Sequence, residues 1–387
     1  MERRPFGAIP RVTWDALAAA NPWSTPFSAW AFHRAWWDGY GEDAQGTHDE
    51  TLVALDPEAG ADAPPVAIVP LMHRHVRESG DDRARTALRR SGEADLTPVA
   101  PTAKALFFGA SYHADYATIL AAPADLADTA DALADALGNL GAPGGAGTLG
   151  DPAHPEPWDV VDLRRLRCGD PAGEALAAAL GAREMRHGWT LNIEREDVCP
   201  VAILPENGDF EAFLGGLDGK ERHEIRRKVR RAESAGVVAL TPSRDPLADL
   251  EAFIDLHQAR WGADGLFPPT PGGERSRVMF RRLFELFGAE DDRSPLRLAF
   301  LTVGGTRIAA SVTFETADTV LYYNAGVDPD ARDLSPGVVL VERLIRAAIE
   351  SGKRRFDFLR GDEPYKYGWG AANEPIQRLL VRRTVRA

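Results

Sequence analysis

Hydrophobic spacing sorts the chain into helical and extended segments before any one residue stands out. Residues 336–351 carry the clearest signal. Val338, Val341, Leu344, Ile345, Ala348 and Ile349 recur at three- and four-residue intervals, with Glu342, Arg343, Arg346 and Glu350 on the other face. Ser335 stands at the N-cap position, Pro336 at the first helical position and Gly352 just past the end. A strand is expected at 355–359, then an aromatic loop, Tyr365-Lys366-Tyr367-Gly368-Trp369-Gly370, and a final strand at 376–383.

Upstream, 296–303, 307–315 and 320–325 read as three strands joined by short turns, an antiparallel meander. Residues 210–235 read as one long or broken helical stretch, 237–240 as a strand, and 246–261 and 274–287 as helices. The N-terminal half predicts helices at 13–19, 28–39, 124–140 and 171–180. Its strands are expected at 51–55, 66–72, 117–120, 160–163 and 189–193, with a charged mobile loop at 77–93 and a flexible turn at 141–147.

At 387 residues the chain exceeds one ordinary core, so two domains are expected, 1–195 and 196–387. Hydrophobic residues at 44% and charged residues at 27% describe a soluble globular protein. The opening MERRPFGAIPRVTW has no apolar stretch of signal-peptide type, and no apolar run approaches the ~20 residues of a membrane span. A cytoplasmic location without a membrane span is the expectation. Cys168 and Cys199 lack metal-type spacing, so buried free thiols and no metal site are expected.

Charge narrows the function classes. Residues 1–195 hold 17 basic against 28 acidic residues, a net −11, and residues 196–387 hold 28 against 30, a net −2. Such a surface excludes general DNA binding, which needs a net basic face. One exception runs from Lys220 to Arg231, seven basic residues against two acidic. Only five lysines accompany 40 arginines, and Lys366 is one of them.

The chemistry concentrates in 334–370. A helix opening on a glycine turn offers free backbone N–H groups and a positive dipole end to an anion. Three segments, KERHEIRRKVRRAESAG at 220–236, LSPGVVLVERLIRAAIESGKRRFDFLRGDEPYKYGWG at 334–370 and the weaker FSAWAFHRAWWDGYG at 27–41, resemble the GNAT acyltransferase superfamily. The resemblance is to its CelD-type branch, which is related to the FemAB peptidoglycan aminoacyltransferases.

That resemblance implies a mixed α/β (α+β) fold of two tandem GNAT-like domains, each a mostly antiparallel mixed sheet flanked by helices. It implies an N-acyltransferase that moves an acyl group, acetyl first, from acyl-CoA to an amine acceptor. The acceptor would be an amino sugar, a nucleotide sugar or another polysaccharide or cell-envelope precursor. A FemAB-like enzyme using aminoacyl-tRNA, or a non-catalytic scaffold in polysaccharide assembly, is the alternative, and oligomeric state stays open. The strands at 320–325 and 355–359 would splay for the cofactor, whose pyrophosphate would rest on Ser335, Gly337, Val338 and Val339. The family's glycine-rich signature is reduced here to Ser335-Pro336-Gly337, which keeps both donors open.

Residue roles follow, each with a structural counterpart. Arg226, Arg227 and Arg230 would bind a phosphate-bearing ligand, either the ribose phosphate of CoA, a nucleotide-sugar acceptor or tRNA; a solvated helix face is the other reading. Asp357 would act as base or orient the acceptor, against a strand-end carboxylate paired with arginine. Lys366 would stabilise a developing oxyanion, against a snorkelling lysine stacked on Trp369. Tyr323 and Tyr365 are candidate proton donors or packing aromatics, and Trp369 and Asp115 candidate substrate contacts. The segment His113-Ala114-Asp115-Tyr116 reads equally as a strand-end turn. His257 and Arg260 border the site or are structural, and 266–271 is a lid or a linker.

Overall fold

The computed structural model describes residues 1–41, 47–56, 58, 63–74, 96–100, 102–139, 158–206, 208–288 and 294–383. The loop expected at 77–93, the turn at 141–147 and residue 140 of the helix expected at 124–140 lie outside the described residues. The chain forms two compact units, Met1–Asp197 with Pro375–Ala387, and Val198–Glu374.

The first unit contains helices Arg11–Ala20 (α1), Trp30–Tyr40 (α2), Leu126–Asn139 (α3), Pro171–Gly181 (α4) and Glu184–His187 (α5). One sheet orders Glu2–Arg3 (β1), Leu52–Ala54 (β3), Ala67–Val69 (β4) and Leu120–Ala121 (β7), all antiparallel. A second set runs from the last strand, Ala372–Arg383 (β15), through Val160–Arg167 (β8), Ala105–Phe108 (β6) and Leu71–Arg74 (β5) to His48–Asp49 (β2). Only β6 and β8 pair in parallel there.

Pro70 splits the single strand expected at 66–72 between two sheets, because proline cannot donate to a ladder. β6 was not foreseen. Its Ala-Leu-Phe-Phe is buried on both faces and so has no polar alternation to announce it. The last strand was expected in the second half, yet residues 376–382 pair with β8, and Leu379 and Val381 enter the first unit's core. Both cysteines are free, Cys199 buried but Cys168 exposed in the turn after β8, against the expected burial of both.

Charge is buried at the irregular part of the β8–β15 pairing, between Gln377 and Leu379. Asp162 accepts hydrogen bonds from Arg164 (3.0 and 2.9 Å) and Arg378 (2.6 and 2.8 Å), and all three residues are at most 2% exposed. Arg165 pairs with Glu196 beside them.

The second unit holds helices Phe210–Gly216 (α6), Gly219–Ala235 (α7), Pro246–Trp261 (α8), Pro271–Phe287 (α9), Pro336–Glu350 (α10) and Pro364–Tyr367 (α11). The helical stretch read at 210–235 breaks at Leu217-Asp218, where the Asp218 carboxylate caps α7 through the Lys220 N–H at 2.8 Å. The sheet orders Val238–Pro242 (β10), Leu296–Val303 (β11), Thr306–Glu315 (β12), Thr319–Val327 (β13), Arg355–Asp357 (β14) and the end of Trp189–Ile203 (β9). The meander β11–β13 is as read from the pattern. β14 lies parallel to β13 and antiparallel to Val201–Ile203 of β9. The apolar stripe of α10, with Val341, Ile345, Ala348 and Ile349, enters the same core as Leu301, Ile308 and Phe356. The mixed α+β class is the observed one. Among the described residues no helix is long and apolar enough to cross a membrane, and no group of His, Cys, Asp and Glu is arranged to hold a metal.

Candidate active site

The second unit encloses a cavity of about 780 Å³. One wall is the part of β13 that lies beyond its pairing with β14. β13 pairs with β14 only at Thr319–Leu321, opposite Arg355–Asp357. Beyond that point the chain turns away. Leu359 takes a left-handed φ of +57° and donates its N–H to Asp357 Oδ1 at 2.8 Å, while the N–H groups of Phe358 and Gly361 bond to the carbonyls of Pro200 and Val198. Residues 322–325 and Val327 are thereby left to line the cavity. The splay expected between these strands is present.

Across β13 the pairing with β12 slips. Val312 opposes Asn324 and Thr313 opposes Tyr322, so the register slips by one residue at Tyr323, as at a β-bulge. A bulge leaves its extra residue off the ladder and re-aims side chains. Tyr322 and Tyr323 consequently both line the cavity, where strict alternation would have placed one. α8 covers β13 closely: a Cβ on Gly326 would lie 2.3 Å from the His257 nitrogen, so only glycine admits the helix there.

At the far end of β13 stands the start of α10. Ser335 occupies the N-cap position in a left-handed conformation (φ 53°, ψ 52°) and makes no side-chain cap bond, a departure from the reading of a serine cap. The tight turn Pro329–Leu334 fixes this, with the Ser335 N–H bonded to Arg332. The Ser335 carbonyl accepts from the N–H groups of Val338 and Val339 at 3.0 and 3.2 Å. Pro336 has no N–H, so Gly337 supplies the first-turn donor without an intrahelical acceptor. Ser335, Gly337 and Val338 line the cavity, whereas Val339 is fully buried in the core.

α7 presents Glu221, Glu224, Ile225 and Lys228, the i, i+3, i+4, i+7 face of a helix, to the cavity. The arginines singled out from the sequence lie off that face. Arg226 pairs with Glu211 at 2.6 Å, Arg227 with Glu224 at 2.7 Å, and Arg230 is exposed. Helical phase separates them from Lys228, one residue from Arg227 and 100° around the axis. Neither Lys228 nor Arg332, which also lines the cavity, has a side-chain hydrogen bond or ion pair among the described residues.

His257 holds α8 in place. Its Nδ1 lies 3.1 Å from the Ala325 carbonyl and its Nε2 accepts from the Leu266 N–H at 3.2 Å. This pattern requires the neutral ring protonated at Nδ1. Burial, and then the nearby Arg260 charge, push its pKa down to about 4, against the opposing pull of the Ala325 bond. With both nitrogens engaged, His257 is a structural pin.

The wall at 358–369 differs most from the reading of its residues. Lys366 is 3% exposed, and its Nζ donates to the carbonyls of Leu359 (2.9 Å), Arg360 (3.0 Å) and Gly361 (2.9 Å), with Glu363 at 2.9 Å. The ammonium is enclosed by oxygens of its own loop. It draws 359–361 together, as Asp357 does from the other side. Asp357 alternates with Phe356 and Phe358 as expected, but it is Phe358 that lines the cavity. Tyr365 also lines it, with its ring 6.0 Å from Phe358, and Tyr322 is 6.3 Å from Phe358. Burial raises the Tyr322 pKa to about 12, and burial, followed by the charges of Tyr322 and Glu363, raises that of Tyr365 as well. Tyr323 stacks on Phe280 at 5.9 Å. Trp369 is buried at the cavity wall, and no cation stack with Lys366 accompanies it among the described residues. Asp115 lies in the first unit, in the turn between β6 and β7, and is no part of this lining.

Sequence reading thus gathered Lys366, Tyr365, Tyr323, Ser335, Gly337, Val338 and Trp369 at one cavity and missed Tyr322, Glu221, Lys228 and Arg332. For the α7 residues, the spacing from Ile225 to its partners was the available signal.

Residues 219–367 match the family described as acetyltransferase (GNAT) domain. A search of the curated proteins finds no match. Among solved structures, FemX is similar over 97% of both chains at 11% identity, with a TM-score of 0.51. A conserved protein of unknown function from Bacteroides thetaiotaomicron VPI-5482 is similar over 97% of this chain and 98% of its own, at 12% identity and a TM-score of 0.51. A tandem GNAT protein from the clavulanic acid biosynthesis pathway is similar over 97% and 95%, at 10% identity and a TM-score of 0.42.

Proposed function

With an acetyltransferase (GNAT) domain at residues 219–367 as the premise, we propose that this chain is an N-acyltransferase taking its acyl group from acyl-CoA, acetyl first. One observation carries the reading: beyond the end of its pairing with β14 at Leu321, β13 leads through the register slip at Tyr323 to the N-terminus of α10 within a single cavity.

The donor set fits an elongated amide-bearing molecule with phosphates at one end. The edge of β13 beyond its pairing with β14, where His257 already holds the Ala325 carbonyl, suits the amides of a pantetheine arm. The Gly337 N–H, the helix dipole and the unpartnered cations Lys228 and Arg332 suit its phosphates. Arg227 and Arg230 have no part in this set.

When bound, acyl-CoA supplies a thioester carbonyl. A C–N bond to the acceptor forms as the C–S bond breaks, the amine gives up a proton and the sulfur gains one. Glu221, a cavity carboxylate with no ion pair among the described residues, is our candidate to receive the amine proton. Tyr322 and Tyr365 are protonated at neutral pH like any tyrosine, and their raised pKa values disfavour ionisation further, so they serve as hydrogen-bond donors to developing charge. Phe358 and Trp369 keep water from that end. Lys366 and Asp357 act one step back, by folding the wall that carries Tyr365.

Thermal unfolding of the full chain with acetyl-CoA tests the reading. At a hundredfold excess over Kd the folded state gains about 2.7 kcal/mol and melts several degrees higher. A chain whose melting is unmoved by acetyl-CoA and longer acyl-CoAs would point to the aminoacyl-tRNA or scaffold reading. Glu221→Gln should lower turnover at least ~100-fold with CoA binding unchanged.

A further inference from the structure

Besides Lys228 and Arg332, the same cavity holds a third cation that no protein group answers. Arg260 sits in the last turn of α8 and lines the cavity, and its guanidinium makes no hydrogen bond or ion pair among the described residues. It stacks on Trp261 at 4.6 Å, and that ring is itself 44% exposed. Its charge is close enough to Tyr322, Tyr365 and His257 to act on all three.

Two structural explanations for such an arginine fail here. An arginine in a last turn can serve the helix carbonyls, but Gln258 closes this end, bonding the Gly262 carbonyl and the Phe267 N–H at 3.0 Å each. Several other arginines of the unit are paired, as Arg277 with Glu251, Arg307 with Asp249 and Arg343 with Glu233, whereas Arg260, like Arg332, faces the cavity without an ion pair among the described residues. Of the carboxylates that share the cavity, Glu224 is committed to Arg227 and Glu363 to Lys366, and neither Glu221 nor Asp264 forms an ion pair with Arg260 among the described residues.

We propose that Arg260, braced by Trp261, is the subsite for an oxyanion carried by the amine acceptor, so that the acceptor is a zwitterion rather than a simple amine. A guanidinium lying over an indole keeps its N–H donors available, and those donors match a carboxylate or a phosphate. Glu221 then faces the amine and Arg260 the anion, which orients the nucleophile between them. The proposal rests on the acyltransferase reading of this cavity.

Its test is calorimetric binding of matched twins to the full chain, glucosamine 6-phosphate against glucosamine and glycine against glycinamide, with acetyl-CoA titrated in parallel. At least one oxyanion twin should bind about tenfold or more tighter than its neutral partner. The twin that shows the gap tells phosphate from carboxylate. Arg260→Glu should erase the gap while melting temperature and acetyl-CoA affinity stay as in the wild type, and Arg260→Lys should restore it in part. Equal binding of the twins, a gap that survives Arg260→Glu, or no binding by any member overturns the subsite. A wild-type chain that shows the gap but does not bind acetyl-CoA overturns the donor reading and supports Arg260.

Discussion

In the first unit Asp162, Arg164 and Arg378 are almost wholly buried and, with Glu194 also on Arg378, answer one another's charge, whereas Lys228, Arg260 and Arg332 of the second unit line a cavity with no ion-pair partner among the described residues. Both sets are arginine-rich and neither stands out by composition. The difference lies in what completes them. A closed set of bonds implies a structural role, because removing one member strands the others in low dielectric. An open set implies a ligand. Lys366 falls on the structural side of that line although it belongs to the cavity, since four oxygens already surround it.

The largest effect should come from breaking the closed set. Asp162→Ala leaves two buried guanidinium groups without their shared carboxylate and should cost about 3–5 kcal/mol in urea unfolding. A cost below ~1 kcal/mol would mean that the three residues are not coupled. Lys366→Met keeps the apolar stem but orphans three carbonyls, which should cost about 2–4 kcal/mol and depress turnover together. Lost turnover with unchanged stability would return Lys366 to the reacting centre.

A third test uses pH. Folded His257 titrates near 4 and an unfolded histidine near 6.5. As pH falls from 6.5 to 4 the unfolded chain takes up a proton that the folded chain refuses, so stability drops, by roughly 3 kcal/mol from this group, and the loss levels off below 4. His33 of the first unit, lowered to about 3 by burial, adds a loss of the same sign. His257→Gln should melt lower at pH 7 and show a shallower decline between pH 6.5 and 4. An unchanged slope would remove His257 as the cause. The smallest effect on the fold should come from the open set. Lys228→Glu with Arg332→Glu should shift stability by no more than ~0.5 kcal/mol, yet weaken acetyl-CoA about tenfold or more, with a reduced salt dependence.

How far these roles were legible depends on which physical signal carried them. α10 and the β11–β13 meander were legible because 3.6- and 2-residue periods survive wherever one face is buried. β6 was not, being apolar on both faces. The cavity's position was legible from Pro336-Gly337 and the following strand. The roles of single residues were not, because they turn on a bulge at Tyr323, on helical phase in α7 and on the left-handed turn at Leu359 that brings three carbonyls to Lys366. A run of seven basic residues hid the one, Lys228, that faces the cavity.

Gly337 gives the most direct test of the central claim that the α10 end of the cavity binds phosphate. A Cβ at Gly337 would meet Val327 at an ordinary 3.9 Å, and an acidic residue in a first turn favours the helix. Calorimetric titration of acetyl-CoA into wild-type and Gly337→Asp chains of equal melting temperature should therefore show binding in the first and a loss of tenfold or more in the second. No binding by the wild type, or equal binding by both, would contradict the account.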